Sequence, residues 1–288
     1  MVDTALEQQT LASARAVFAD FAAGLAGDAA ALERFLTGMH PEMVLYFPQG
    51  PNLSRGAYRG PEIRELFAFV RQVYPTGLFI TLDAEFVARD TVAFQFHDEA
   101  VMRDGSAYRG CVVISFKMRE GKLFRYREHF GERWNPPVPP ADEPPAQQAQ
   151  PITLEQVQPA VWAYQAALAG RPGALEELRA HLAEDVVLYF PPREELAHGA
   201  YHGREAVMEL IRQRCARTVG GIQLEIVRPA VSGDSGGFAG YLQLEADGTR
   251  DRSTLFLVFK LKDGKVWRIR EYYGPKWGDV VPPHDEDL

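Results

Sequence analysis

Apolar residues over 11–26, "LASARAVFADFAAGLA", recur at helical spacing, and Gly27 follows as a stop. Residues 28–38 predict a second helix with Leu32, Phe35 and Leu36 on one side. "MVLYFP" at 43–48 is a short strand ended by proline. A third helix begins at Gly60, with Pro61 in its first turn, where a missing N–H costs nothing. Four strand-like runs follow near 78–87, 91–103, 107–118 and 122–130. Arg89-Asp90, Asp104-Gly105 and Glu120-Gly121 supply the turns between them. This order predicts an α+β unit: three helices on one face of a curved, mixed but mostly antiparallel sheet.

The pattern then starts again. "VLYFP" at 44–48 returns at 187–191, a shift of 143 residues. The same shift carries "GAYRG" at 56–60 onto "GAYHG" at 199–203, and "RYREHFG" at 125–131 onto "RIREYYG" at 268–274. Trp134 falls on Trp277, and no gap is needed. The period is that of a whole domain rather than of a solenoid repeat. The expected organisation is therefore a first domain at 1–134, a proline-rich spacer at 135–151 and a second domain at 152–288. The ending "VVPPHDEDL" reads as a mobile tail. "CVVISF" at 111–116 and "TLFLVF" at 254–259 are apolar on both faces, so each sheet needs cover on both sides. The simplest cover is the sheet of the other copy, giving an intrachain pseudo-dimer.

Composition narrows the picture. The chain is 46% hydrophobic and 24% charged, enough apolar mass for two cores. The formal net charge is −8 and there is no basic stripe, which argues against a nucleic-acid partner. No segment reaches the apolar length of a membrane span, and no secretion signal is visible, so a cytoplasmic location is expected. The two cysteines, Cys111 and Cys215, are not repeat mates, and no disulfide or zinc spacing is seen. No glycine-rich loop suggests a nucleotide, so no cofactor or metal is expected.

"YHGREAV" at 201–207 and the ending "REYYG" at 270–274 resemble the nuclear transport factor 2-like superfamily, the cone fold. The resemblance is nearest to its SnoaL-like and ketosteroid-isomerase-like branches. It implies two tandem cones, each with a pocket between sheet and helices, and sheet-to-sheet pairing. It also carries a departure. In the steroid-isomerase branch an aspartate precedes the proline of the first strand, and here Phe47 and Phe190 stand there. A second acidic position of that branch falls near Ile114 and Leu257. The isomerase residues do not carry over.

Candidate chemistry comes first from the last strand of each copy. Alternation puts Phe124, Tyr126, Glu128 and Phe130 on one face, and Trp267, Ile269, Glu271 and Tyr273 on the matching face. Each copy thus sets one glutamate among aromatic and apolar neighbours. Burial raises a carboxyl pKa, which cofactor-free proton transfer needs; a structural ion pair is the competing role. His97 and Glu99 share a face that the local pattern reads as wet. Their repeat mates Gly240 and Leu242 look buried, so the repeat turns them into the cone beside Glu128. Tyr46 and Tyr189 in the repeated "LYFP", and Tyr58 and Tyr201 in the "GAY" loops, complete the substrate-binding candidates with Tyr126, Phe130, Trp267 and Tyr273. Packing is the commoner role for Tyr46 and Tyr189, while the loop pair should border the cone.

The function expected from this set is a cofactor-free cyclase or isomerase. It would use carboxylate and histidine acid–base chemistry on an apolar, oxygenated, polyketide-like small molecule. The alternatives are an epoxide hydrolase or dehydratase of the same fold, or a non-catalytic binding or scaffold protein. In a mixed version, the first copy is catalytic and the second structural. Whether the pseudo-dimer is monomeric or pairs again is left open.

Overall fold

In the computed structural model the described residues are 4–48, 55–133, 150–189, 191, 199–246, 248–278 and 280–282. Trp134, the spacer over 135–149, Phe190 and residues 283–288 fall outside them. The first set of elements is α1 (Thr4–Leu25), α2 (Ala29–Thr37), β1 (Met39–Tyr46), β2 (Ala57–Arg59), α3 (Pro61–Val73), β3 (Leu78–Ala88), β4 (Thr91–Val101), β5 (Ala107–Arg119) and β6 (Lys122–Arg133). The second repeats it: α4 (Leu154–Leu168), α5 (Ala174–His181), β7 (Leu182–Tyr189), β8 (Ala200–His202), α6 (Arg204–Ala216), β9 (Gln223–Ser232), β10 (Ser235–Ala246), β11 (Thr249–Lys262) and β12 (Lys265–Lys276). The "GAY" segments, expected as loops, form the short strands β2 and β8, paired antiparallel to β1 and β7.

Local chemistry fixes the helix starts. Asp28 caps α2, its Oδ1 accepting from the amides of Ala30 at 2.9 Å and Ala31 at 3.0 Å. Thr153 and Gln156 form a capping box on α4. Each helical layer lies over one face of its sheet. Phe18, Phe21, Phe35 and Phe67 meet Phe94, Val112, Ile114 and Phe116 in the first core. Val157, Tyr164, Leu178 and Ile211 meet Phe238, Leu255, Leu257 and Phe259 in the second.

The strands run in the order β3-β4-β5-β6-β12-β11-β10-β9, with β1 and β7 added in parallel to β6 and β12. The two halves join where β6 and β12 cross antiparallel, at the pair Phe130–Tyr273. These two are repeat mates, so an approximate two-fold axis passes between them. The other face of each sheet is covered by its neighbour, as the two-sided strands required. Phe86, Cys111 and Val113 pack with Tyr241, Phe256 and Tyr272, and Gln95 donates to the Tyr272 hydroxyl at 2.8 Å.

The last glycine of each repeated motif explains itself at this seam. A Cβ on Gly131 would sit 2.7 Å from the ring of Tyr272. A Cβ on Gly274 would sit 2.4 Å from the ring of His129. His129 and Tyr272 are themselves repeat mates, so each copy lays one ring over the bare glycine of the other. Burial, then the nearby Arg127, pushes His129 down to about 3, and the ring is neutral there.

Three expectations need correction. The tail does not start out free: Val280 and Val281 are buried with Val44 and Tyr46. The repeat is not gap-free either. Phe94 pairs with Ile114, while Phe238 pairs with Leu257, the mate of Ile114. The offset between β4 and β10 is therefore 144 residues, one more than elsewhere. Finally, β6 and β12 each carry a bulge near their start. Leu123 and Val266 enter the cores instead of Phe124 and Trp267. Phe124 lies between the guanidinium groups of Arg119 and Arg125, 3.3 and 3.6 Å from its ring centre. Trp267 carries Arg268 in the same manner at 4.0 Å.

Candidate active site

The first cone holds a cavity of about 480 Å³, within the range of small-molecule sites. Leu25 and Phe21 from α1, Phe67 and Val70 from α3, and Phe96, Tyr108 and Phe130 from the sheet form its wall. Among the described residues the wall is apolar apart from two carboxyl groups, Asp98 and Glu128, and the hydroxyls of Tyr74, Tyr108 and Tyr126.

Glu128 stands in the middle of β6 facing Ile114, and its remaining accessible surface opens into the cavity. Tyr126 donates to its Oε2 at 2.5 Å. Burial pushes the Glu128 carboxyl up to about 8, against the downward pull of the Tyr126 bond; the charge of Asp98 adds to the rise. Burial, then the charge of Glu128, raises the Tyr126 phenol well above its ordinary value, so Tyr126 stays a neutral donor.

Asp98 was missed in the sequence. It is 4% exposed and sits opposite Gly110, on the stripe of Phe94, Phe96 and Ala100. That stripe was the available signal: an acid at the third place of an alternating apolar row is either paired or at work. Gly110 makes its room. A Cβ there would fall 2.6 Å from the Tyr108 hydroxyl and 2.8 Å from Asp98 Oδ1.

The one-residue offset moves His97 and Glu99 out of the site. Both point to the other side of β4, since side chains alternate. His97 Nδ1 lies 3.0 Å from Asp83 Oδ1, and this bond raises the imidazole pKa against its partial burial. Glu99 pairs on the surface with Arg109 at 3.0 Å. The structural mate of Asp98 is Leu242, a core residue of the second cone.

Glu271 is enclosed rather than poised. It is fully buried, and Arg214 from α6 holds it at 2.7 and 3.2 Å. Tyr164 and Tyr273 also donate to it, the latter at 2.7 Å. Burial works to raise this carboxyl, but Arg214 and the hydroxyls overcome it and leave the pKa lowered. The repeat mates of Arg214, Tyr164 and Tyr273 are Arg71, Phe21 and Phe130. Arg71 turns to the carbonyl of Gly24 at 3.4 Å, and the phenylalanines lack the hydroxyl, so these three mates do not clamp Glu128.

Of the remaining candidates, Tyr126 and Phe130 line the cavity. Tyr46 and Tyr189 are buried on the opposite face, under Arg127 at 5.4 Å and Arg270 at 4.4 Å. Tyr58 and Tyr201 pack into the two cores behind the cone wall. Among the described residues, no three His, Cys, Asp or Glu side chains gather as a metal site, and no helix is long and apolar enough to cross a membrane.

Fold and site together define a pocket on a curved sheet, with two acids in a largely apolar wall. Residues 161–269 match the family described as SnoaL-like domain. A nuclear transport factor 2-like protein from Anabaena variabilis is 32% identical; the match covers 43% of this chain and 90% of that one, with a TM-score of 0.40. An LEH-like epoxide hydrolase from M. tuberculosis is 23% identical over 42% of this chain and 84% of its own, TM-score 0.34. A SnoaL-like polyketide cyclase, so described, from Jannaschia is 15% identical over 44% and 90%, TM-score 0.37. Comparison with curated proteins gave no match. The chain belongs to the nuclear transport factor 2-like superfamily, with a SnoaL-like domain in its second half.

Proposed function

We propose that the chain is a cofactor-free acid–base enzyme whose working pocket is the first cone, and that the second cone is its structural partner. The observation that carries this reading is the contrast between two glutamates at matching positions. Glu128 opens into a cavity with its carboxyl raised to about 8, while Glu271 is neutralised by Arg214 inside a packed core. A carboxylate with a pKa near the working pH is a strong base that is still available. Glu128 removes a proton from a carbon next to a carbonyl and returns it elsewhere, with Tyr108 or Tyr126 donating to the developing enolate oxygen. The product is a shifted double bond or a closed ring. An apolar, oxygenated small molecule suits the aromatic wall. Epoxide opening fits less well, because attack by water asks for a more polar lining.

The test is α-proton exchange of bicyclic ketones such as 2-tetralone in deuterated water, followed by proton NMR. Glu128→Gln should lower the rate by about 10²-fold or more, and Glu271→Gln should leave it within a few-fold in protein that remains folded. Equal losses in both variants would remove the assignment.

A further inference from the structure

The two glutamates at matching positions are held in different ways. In the second cone both carboxylate oxygens are taken. Tyr164, from α4, donates to Oε1 of Glu271, and Tyr273, two residues further along β12, donates to Oε2 at 2.7 Å. Arg214 reaches both oxygens. In the first cone the hydroxyl has changed places. Phe21 is the mate of Tyr164, and Tyr126 is the mate of Ile269. The phenol therefore comes from the strand, two residues before Glu128, and donates to Oε2 at 2.5 Å. It is a fixed donor: Tyr126 is 1% exposed, with the rings of Phe21 at 5.9 Å and Phe116 at 5.5 Å. Among the described residues Oε1 of Glu128 accepts no hydrogen bond. Nor is this carboxyl enclosed as that of Glu271 is, for Glu128 is half-buried and its open side is the cavity.

We propose that Tyr126 is the positioning residue of the first cone: its hydroxyl holds Glu128 by Oε2 and leaves Oε1, facing the cavity, as the oxygen that takes the substrate proton. This rests on the first cone being the working pocket and says how its base is aimed. The last torsion of a glutamate is broad and two-fold, so an unheld side chain can offer either oxygen. A bond from a ring that cannot move fixes which oxygen is offered, and rate depends steeply on such aim. The new O–H bond forms at Oε1 as the C–H bond breaks, and the electron pair passes to the carbonyl oxygen. The hold of Tyr126 also favours the ionised carboxylate, against burial and the charge of Asp98. Among the described residues the other titratable groups on the cavity are Asp98 from β4, Tyr108 from β5 and Tyr74 after α3. The lining side chains of α1, α3, β1 and β3 are all apolar.

The experiment follows carbon-13 signals of the full chain, labelled in glutamate and tyrosine, from about pH 5 to about pH 10, beside α-proton exchange of 2-tetralone above background. Glu128→Gln assigns the carboxyl signal. In the parent, the Tyr126 carbon that bears the hydroxyl should move with the same midpoint as the Glu128 carboxyl, a reading that needs no variant. Tyr126→Phe should raise that midpoint by about one pH unit. It should also lower exchange at pH 7 by about tenfold or more, with a plateau that stays low at high pH. Lost packing alone would lower the rate without moving the midpoint. Phe21→Tyr, added to Tyr126→Phe, brings a hydroxyl back from the helix, as Tyr164 does in the second cone. It should return the midpoint toward that of the parent and leave exchange low, because the hydroxyl then covers the working oxygen. Unrelated midpoints in the parent, an unmoved midpoint in Tyr126→Phe, or full recovery of exchange with Phe21→Tyr would overturn the proposal. The titration needs no turnover. Signals that move together in a chain that exchanges no ketone protons would remove the enzyme reading, and with it the role of Oε1, while the hold of Tyr126 on Glu128 stands. Exchange in a chain whose midpoint ignores Tyr126 would remove only this inference.

Discussion

Glu128 and Glu271 show how neighbours decide the behaviour of one side chain. The raised carboxyl of Glu128 binds its proton more tightly in the folded chain than in the unfolded one. Its stabilising effect is full below the ordinary value of 4.5 and is lost as pH rises through about 8. Glu128→Gln should therefore be more stable than the parent at pH 9, by about 2–4 kcal/mol after allowing for cavity water, and no more stable at pH 4; urea melts at both values check this. With Glu128 as the proposed base, activity should run the other way, rising with pH toward a plateau above about 8, where the carboxyl is ionised. Glu271 has the opposite sign. Its lowered pKa gives stability above the unfolded value that is lost as pH falls through the folded one. Arg214→Met alone leaves a buried charge without its cation and should cost about 3–5 kcal/mol in denaturant melts, whereas Arg214→Met with Glu271→Leu should recover most of that.

At the scale of elements, the alternating pattern located the strands and helices, and the repeat confirmed them from a second stretch of sequence. What it could not fix was register. The extra residue before the β9–β10 turn is compensated before Asp247-Gly248, so a constant shift looked sound at both ends and was wrong in β4. That slip exchanged His97 and Glu99 for Asp98. The bulges in β6 and β12 were hidden for a related reason: strict alternation has no way to mark the place where two residues face one. Glu128, Tyr126 and Phe130 were legible because they lie beyond the bulge, where alternation resumes. The register also yields a test. Gly110→Ala puts a methyl against Asp98 and the hydroxyl end of Tyr108, at the edge of the first core, so proton exchange should fall by about tenfold or more while the melting temperature moves little. A large loss of stability instead would mean that the close approach is structural.

At the scale of the whole molecule, two sheets that are apolar on both sides can be stable only against each other. Gly131 and Gly274 set how closely they approach. Gly131→Val should push Tyr272 away and break its bond with Gln95, lowering stability by about 1–3 kcal/mol or more, with matching losses in thermal and denaturant melts. The outward-facing residues of the "CVVISF" strand, Cys111 and Val113, were readable as needing a partner, and they find it in the second copy.

The crossing of β6 and β12 within one chain has a genetic meaning. In an assembly of two identical subunits, one gene writes both cones, and a change that suits a base also enters the partner. Here the two cones are written separately. Leucine could take the place that aspartate holds in the other cone, and an arginine could turn inward to close it, without disarming Glu128. Two cones written separately allow one to be packed firm while the other keeps acids at its cavity.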